Sequence, residues 1–235
     1  MKLTNATVLI TGANRGIGLA FAREALARGA RKVYAGARDP QSVKLDGVEA
    51  VQLDVTSEVQ VAAAAQRCGD VTLLINNAGV AQVHGFLDEG ALESARFHFE
   101  TNFFGPLRLA RAFAPILAAN GGGAILNVLS VASWVSSPAL SVYGASKSAA
   151  WSLTNGLRND LRKQKTQVIG MHVGFVDTDL ARGIDLPKSS PDVVVRRAFD
   201  ALEAGADEVL ADDRSRIVKQ GLSAEPGLYL LAPKG

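Results

Sequence analysis

Thr7-Val8-Leu9-Ile10-Thr11-Gly12-Ala13-Asn14-Arg15-Gly16-Ile17-Gly18 is the stretch on which the fold turns. Residues 7–11 form an apolar, β-branched run bounded by glycine, the pattern of a buried strand. A glycine-rich turn follows, then a helical pattern over 19–28 closed by Gly29. Strand, glycine turn and helix in that order give a dinucleotide fingerprint its meaning. Gly12 permits the tight turn, Gly16 lets backbone approach a pyrophosphate, and Gly18 lets helix and strand pack closely. The start of the helix offers unpaired N–H groups and a partial positive charge to phosphates. Outside this context the same glycines would be a turn without a ligand.

Strands and helices alternate onward from there. Strand patterns fall at 32–36, 48–53, 72–75, 124–129 and 168–173, with a short edge strand at 207–210. Helical patterns cover 59–67, a long region from Asp88 or Glu89 to 119 bent near Gly105-Pro106, and 142–163. Ser190 as cap and Pro191 as first helical residue open a last helix to 204. The link between the second and third strands has room for one or two helical turns at most. The pattern predicts an α/β fold: a Rossmann-type, doubly wound, mainly parallel seven-stranded sheet with helices on both faces. A chain of 235 residues, 48% hydrophobic and 20% charged, suits one catalytic domain over 1–235. A short substrate-side segment is expected at 179–205.

Composition narrows the function. A net charge of +2 without a basic run gives no electrostatic case for nucleic acid. Cys68 is the only cysteine, which excludes an internal disulfide and fits a reducing, cytoplasmic compartment. His84, His98 and His172 lie far apart with no cysteine cluster, so no metal site is expected. No apolar run reaches membrane-spanning length, and Met1-Lys2-Leu3 leads almost directly into the first strand, leaving no room for a signal peptide.

Tyr143-Gly144-Ala145-Ser146-Lys147 places a phenol and an ammonium four residues apart, on one face of a helix. A nearby positive charge favours phenolate and is expected to pull the phenol below its free pKa of about 10. A tyrosine so tuned can exchange a proton near neutral pH. In isolation the pair is a chance spacing found in many helices.

Together the two motifs resemble the short-chain dehydrogenase/reductase family. Thr11-Gly12-x-x-x-Gly16-x-Gly18 matches its cofactor motif and Tyr143-x-x-x-Lys147 its active-site motif. Asp54-Val55, Asn76-Asn77-Ala78-Gly79, Asn102, Ser130 and Gly174-Phe175-Val176-Asp177-Thr178 fall in family order, so the resemblance covers residues 4–180. It implies that Ser130 binds the substrate oxygen, Tyr143 exchanges the proton, and Lys147 lowers the phenol pKa and holds the nicotinamide ribose. Asn102 would hold a water of a proton relay. Asn14, Arg15 and Ile17 belong to the phosphate-binding turn. Asp54 would accept from the adenine amino group, with Val55 offering backbone. Residues 76–79 would pass beneath the adenosine ribose, while Val176 and Thr178 would hold the carboxamide. The chain departs from the family in having Val173 where proline is common, and in its short link between strands two and three.

The cofactor follows from the end of the second strand. An NAD site places an acidic residue there, whereas an NADP site places arginine nearby. Here Ala37 takes the acidic position, Arg38 follows it, and Arg15 adds a second cation in the glycine turn. Paired charge-assisted bonds from arginine suit a 2′-phosphate. Asp39 is expected to cap the turn before Pro40. NADP(H) is therefore expected over NAD(H). Val83, Phe86, Trp134, Val135, Leu140, Phe175, Leu180 and Ile184 are candidate walls for a small apolar or aromatic carbonyl or alcohol substrate, with Trp134 foremost. The resulting expectation is NADPH-dependent reduction of a ketone or aldehyde. The alternatives are an NAD-dependent alcohol dehydrogenase and a non-catalytic NADP(H) sensor. The resemblance also implies a homodimer or homotetramer built on the two long helices.

Overall fold

The computed structural model describes residues 1–231. Seven strands, β1 (Thr7–Thr11), β2 (Lys32–Ala37), β3 (Glu49–Gln52), β4 (Leu73–Asn76), β5 (Ala124–Val128), β6 (Gln167–His172) and β7 (Glu208–Leu210), form one sheet in the order β3-β2-β1-β4-β5-β6-β7. Every neighbouring pair is parallel, the expected edge strand included. Chain order reverses between β1 and β4, and in such sheets ligands bind at the carboxyl ends of the strands beside that point.

Helices cover both faces, which explains why β1 is buried at every position. Alternate residues feed opposite layers. Val8 and Ile10 join the core beneath α1 (Gly16–Ala27) and α6 (Pro191–Glu203), where the Phe21 and Phe199 rings meet edge-on at 5.2 Å. Leu9 joins the core beneath α2 (Glu58–Arg67), α4 (Gly105–Ala119) and α5 (Ser141–Asp160), with Leu74, Leu109, Phe113 and Leu157. A single 3₁₀ turn, Pro40–Ser42, bridges β2 to β3, and Asp39 caps it by accepting from the Gln41 amide at 2.9 Å. Among the described residues no helix is long and apolar enough to cross a membrane.

Four local expectations are corrected. Asp88 does not open a helix. Its carboxylate accepts from the Gly85 amide at 2.7 Å, and α3 (Ala91–Phe99) starts after Gly90, whose φ of +80° suits glycine. The long region does not break at Gly105-Pro106, because Pro106 sits in the first turn of α4, where its missing N–H costs nothing. The irregularity lies upstream, in a π-turn over Glu100–Phe104. Ser190 precedes α6, but its side chain makes no capping bond. A seventh helix, α7 (Asp213–Gly221), follows β7 and was not expected.

Candidate active site

The glycine turn leaves the end of β1 with Gly16 at φ +55°. A Cβ on Gly18 would lie 2.1 Å from the Gly12 carbonyl oxygen, so α1 can pack this close only with glycine there. Arg15 caps α1 without a side-chain acceptor, and no acidic residue stands in the first turn. The first-turn amides are therefore left to an anion, which fits the pyrophosphate of a dinucleotide. Thr178, from the loop after β6, faces Gly16 closely: a Cβ there would meet its methyl carbon at 3.2 Å. Arg15 and Asp179 form an ion pair at 3.2 Å that ties the same loop to the same turn.

The end of β4 is stapled to the end of β1. The Thr11 hydroxyl accepts from the Asn77 and Ala78 amides at 3.0 and 2.9 Å, and Asn77 Nδ2 donates to the Thr11 and Gly12 carbonyls at 2.9 and 3.2 Å. Asn76 is buried and donates to Asn127 at 2.8 Å, and Asn127 in turn donates to Thr154 on α5 at 2.9 Å. Arg38 is exposed at the end of β2, beyond buried Ala37. Asn14 donates to Ser42 at 3.1 Å, so the glycine turn also reaches the turn after β2. Asp54 accepts from the Thr56 amide and hydroxyl at 2.9 and 2.7 Å, and Val55 lies buried beneath Gly105.

Gly79 joins this half of the site to the second. A Cβ on it would lie 3.3 Å from Asn102 Oδ1 and 3.6 Å from Lys147 Nζ. Asn102 sits in the π-turn, accepting from the Val80 amide at 2.9 Å and donating to the Val80 carbonyl and the Ser146 hydroxyl at 3.0 Å each. Lys147 is buried and donates to the Val128 carbonyl at 3.0 Å. Ser130 follows the end of β5 and accepts from the Ala132 amide at 3.1 Å, and its hydroxyl lies near enough to the Tyr143 phenol, at the front of α5, to act on its acidity. Ser130, Tyr143 and Lys147 thus converge at the carboxyl edge of the sheet, next to Gly79.

A family model described as short chain dehydrogenase matches residues 6–188. The chain belongs to the short-chain dehydrogenase/reductase family. As a member it is an oxidoreductase acting between alcohol and carbonyl with a nicotinamide dinucleotide. A crystal structure of a short chain dehydrogenase from Burkholderia cenocepacia in complex with NADP is 40% identical, with a TM-score of 0.94, covering 99% of this chain and 100% of that one. The short-chain dehydrogenase PC-15 of Penicillium crustosum is 38% identical over 182 residues, spanning 73% of this chain and 66% of its relative. The short-chain dehydrogenase ptmH of Penicillium ochrochloron is 35% identical over 213 residues, 86% of this chain and 78% of the relative.

The electrostatics of this short-chain dehydrogenase differ from the sequence expectation at Tyr143. Burial pushes the phenol above its ordinary value, and only the hydrogen bond with Ser130 acts to lower it. Lys147 stands 5.9 Å from the centre of the Tyr143 ring and spends a proton on Val128. Burial alone drives the Lys147 ammonium down to about 8. Side-chain packing shapes two further parts of the site. The amide nitrogens of Asn14 and Asn77 are committed to the protein's own groups and shape the turn. The ring of Trp134 stacks on the His172 imidazole at 3.8 Å between centroids, 18° from parallel. It lines one side of a cavity of about 180 Å³ with Phe86, Val135 and Gly144.

Four residues carrying the site were not singled out beforehand. His98 is fully buried and packs edge-on to Tyr143 at 6.0 Å. Its Nε2 accepts from the Gln82 amide at 2.9 Å and its Nδ1 lies 2.7 Å from the Ser94 carbonyl, so it is the neutral Nδ1–H form, and burial holds its pKa low. Ser42 receives Asn14. His172 lies behind Ser130. Asp212 accepts from the Gly174 amide at 2.6 Å, steadying the loop that follows Val173. Only Asp212 had a usable signal, since Asp212-x-x-Ser215 is a capping arrangement. Among the described residues, no group of three or more His, Cys, Asp or Glu is placed to hold a metal.

Proposed function

We propose that this chain reduces a ketone or aldehyde to an alcohol with NADPH, Tyr143 giving the proton. The observation that carries the reading is the convergence of Ser130, Tyr143 and Lys147 beside Gly79. The dinucleotide supplies the hydride when bound. Its phosphates fall to the amides of residues 12–18, its adenosine to Arg38, Asp54, Val55 and residues 76–79, its nicotinamide side to Tyr143, Lys147, Val176 and Thr178. Ser130 orients the carbonyl oxygen and stabilises developing negative charge there. Tyr143 delivers its proton to that oxygen, and its raised pKa keeps it protonated, the form a donor needs. Lys147, charged below about pH 8, then stabilises the phenolate left behind. Asn102 fixes the 79–80 segment against α5, beside Lys147.

NADPH is favoured over NADH because Ala37 offers no carboxylate to a ribose and exposed Arg38 makes no ion pair among the described residues. The 40% identical Burkholderia cenocepacia protein, solved with NADP, supports the same choice. Arg15 contributes less, being paired with Asp179. Exposed Val83, Phe86, Leu180 and Leu186 around the cleft favour a small apolar or aromatic carbonyl. Exposed Phe97 and Phe104, on α3 and the π-turn, supply apolar surface for self-association through the long helices.

The test is cofactor oxidation by the full chain over a panel of ketones and aldehydes. We expect turnover with NADPH and a kcat/KM at least about tenfold lower with NADH. Tight NADPH binding without turnover on any carbonyl would replace the enzyme by a sensor. Preference for NADH would favour the NAD-dependent alcohol dehydrogenase.

A further inference from the structure

Behind Ser130 stands a set of side chains that the hydride chemistry does not use. His172, at the end of β6, is fully buried, and its Nδ1 lies 3.4 Å from the Ser130 carbonyl oxygen. A carbonyl can only accept, so this contact requires the Nδ1–H tautomer. Nε2 then carries a lone pair, has no hydrogen-bond partner, and faces the Glu208 carboxylate of β7 at 3.6 Å. That carboxylate is an acceptor, so on its own it would draw the imidazole proton to Nε2. Lys219 of α7 prevents this: its ammonium holds Glu208 at 3.0 Å. The same ammonium lies 4.9 Å above the Trp134 ring, pressing it onto the His172 face. The charged groups facing His172 are Glu208, Lys219 and Lys147, and burial with the two cations keeps the ring neutral.

We propose that Lys219, Glu208, Trp134 and His172 form a positioning device for the catalytic serine. Lys219 neutralises Glu208, which leaves the imidazole proton on Nδ1. That proton fixes the Ser130 carbonyl, and the stacked indole fixes the turn that carries the Ser130 hydroxyl toward Tyr143. Two of the four residues, Glu208 and Lys219, lie beyond the 6–188 span matched by the family model. The C-terminal segment of this chain would thereby set the geometry of its active site. The kinetic part of the inference rests on the reductase reading, whereas the geometric part does not.

The experiment uses the full chain labelled with nitrogen-15 in histidine and carbon-13 at the tyrosine Cζ, Tyr143 being assigned with Tyr143→Phe and His172 with His172→Asn. Wild type is expected to show His172 as Nδ1–H. Lys219→Met is expected to move its proton to Nε2 and to shift the Tyr143 resonance in the same direction as Ser130→Ala does. Lys219→Arg restores both. In turnover with NADPH and acetophenone, Lys219→Met is expected to lower kcat about tenfold with the NADPH KM within about twofold, and Lys219→Arg to restore it. Ile217→Ala, on the exposed side of α7, should leave every reading unchanged. Should Lys219→Met fold poorly, Trp134→Phe against Trp134→Leu repeats the comparison through the stack. An Nε2–H tautomer in wild type, or a Tyr143 resonance unmoved by Lys219→Met, overturns the proposal. Absence of any carbonyl reduction by wild type would overturn the reductase reading, while the two resonances would still decide the positioning role.

Discussion

The Lys147 ammonium donates to the Val128 carbonyl at 3.0 Å, the last residue of β5 and two before Ser130. One buried cation therefore ties the helix that carries Tyr143 to the strand that carries the serine. It does so at a cost, because burial lowers its pKa from 10.5 to about 8. At about 1.4 kcal/mol per pKa unit, desolvation of Lys147 opposes folding by roughly 3 kcal/mol, less about 1.5 kcal/mol for the charged hydrogen bond. Lys147→Met is expected to stabilise the fold by about 1–2 kcal/mol at pH 7 while removing turnover. The sign follows from a depressed folded pKa: the desolvation penalty is full below about 8, where both states carry the charge, and disappears as pH rises to 10.5, where both are neutral. The advantage of Lys147→Met over wild type should accordingly shrink between pH 8 and 10.5, measured by urea unfolding. A variant less stable than wild type at pH 7 would contradict this.

Arg38 is exposed, while Arg15 is ion-paired to Asp179. Arg38→Ala is expected to weaken NADPH binding by about 10- to 100-fold and to leave NADH within about twofold, since a charge-assisted phosphate contact contributes about 1.5–3 kcal/mol. Arg15→Ala should weaken NADPH binding less. Fluorescence titration with both nucleotides measures it, and equal losses for NADPH and NADH would remove Arg38 from the phosphate site.

Asn77 holds the Thr11 and Gly12 carbonyls through one amide nitrogen. Asn77→Ala leaves both acceptors unpaired beneath the turn, and we expect a loss of about 1–3 kcal/mol. In a domain of this size that lowers Tm by roughly 5 °C. Calorimetry in the presence of saturating NADPH should show a smaller stabilising shift than in wild type, because the phosphate turn is then misplaced. An unchanged Tm would show that the staple is dispensable.

Asp212 accepts the Gly174 and Ser215 amides at 2.6 and 2.7 Å while it is itself buried. Asp212→Ala should fray the start of α7 and free the loop after β6, destabilising the chain by about 1–2 kcal/mol. Hydrogen exchange at Gly174 and Ser215 is expected to accelerate together. Acceleration at Ser215 alone would separate the loop from the helix cap.

The parts of the molecule legible in the sequence were those encoded locally. The strands at 7–11, 32–36 and 124–129 announce themselves as apolar runs between turn residues, and the glycine spacing announces the turn. The π-turn around Asn102 was not legible, because one extra residue per turn leaves the apolar pattern of the flanking helices almost intact. Helix α7 was missed because it buries only Ser215 and Val218 and shows no apolar stripe; a cap and the Lys219–Glu208 pair hold it in place. The acidity expected of Tyr143 failed for a related reason. Sequence spacing placed Lys147 on the same helix face but could not weigh burial, which raises the phenol pKa and lowers that of the ammonium. The Trp134–His172 stack joins residues from two strand ends, and nothing in either local sequence points to the other.

Tyr143→Phe keeps the ring edge against His98 and removes only the hydroxyl. We predict that it binds NADPH within about twofold of wild type while carbonyl reduction falls by at least about a hundredfold, the scale of a lost general acid. Reduction by Tyr143→Phe at a rate close to wild type would contradict the assignment of the proton donor, and with it the mechanism.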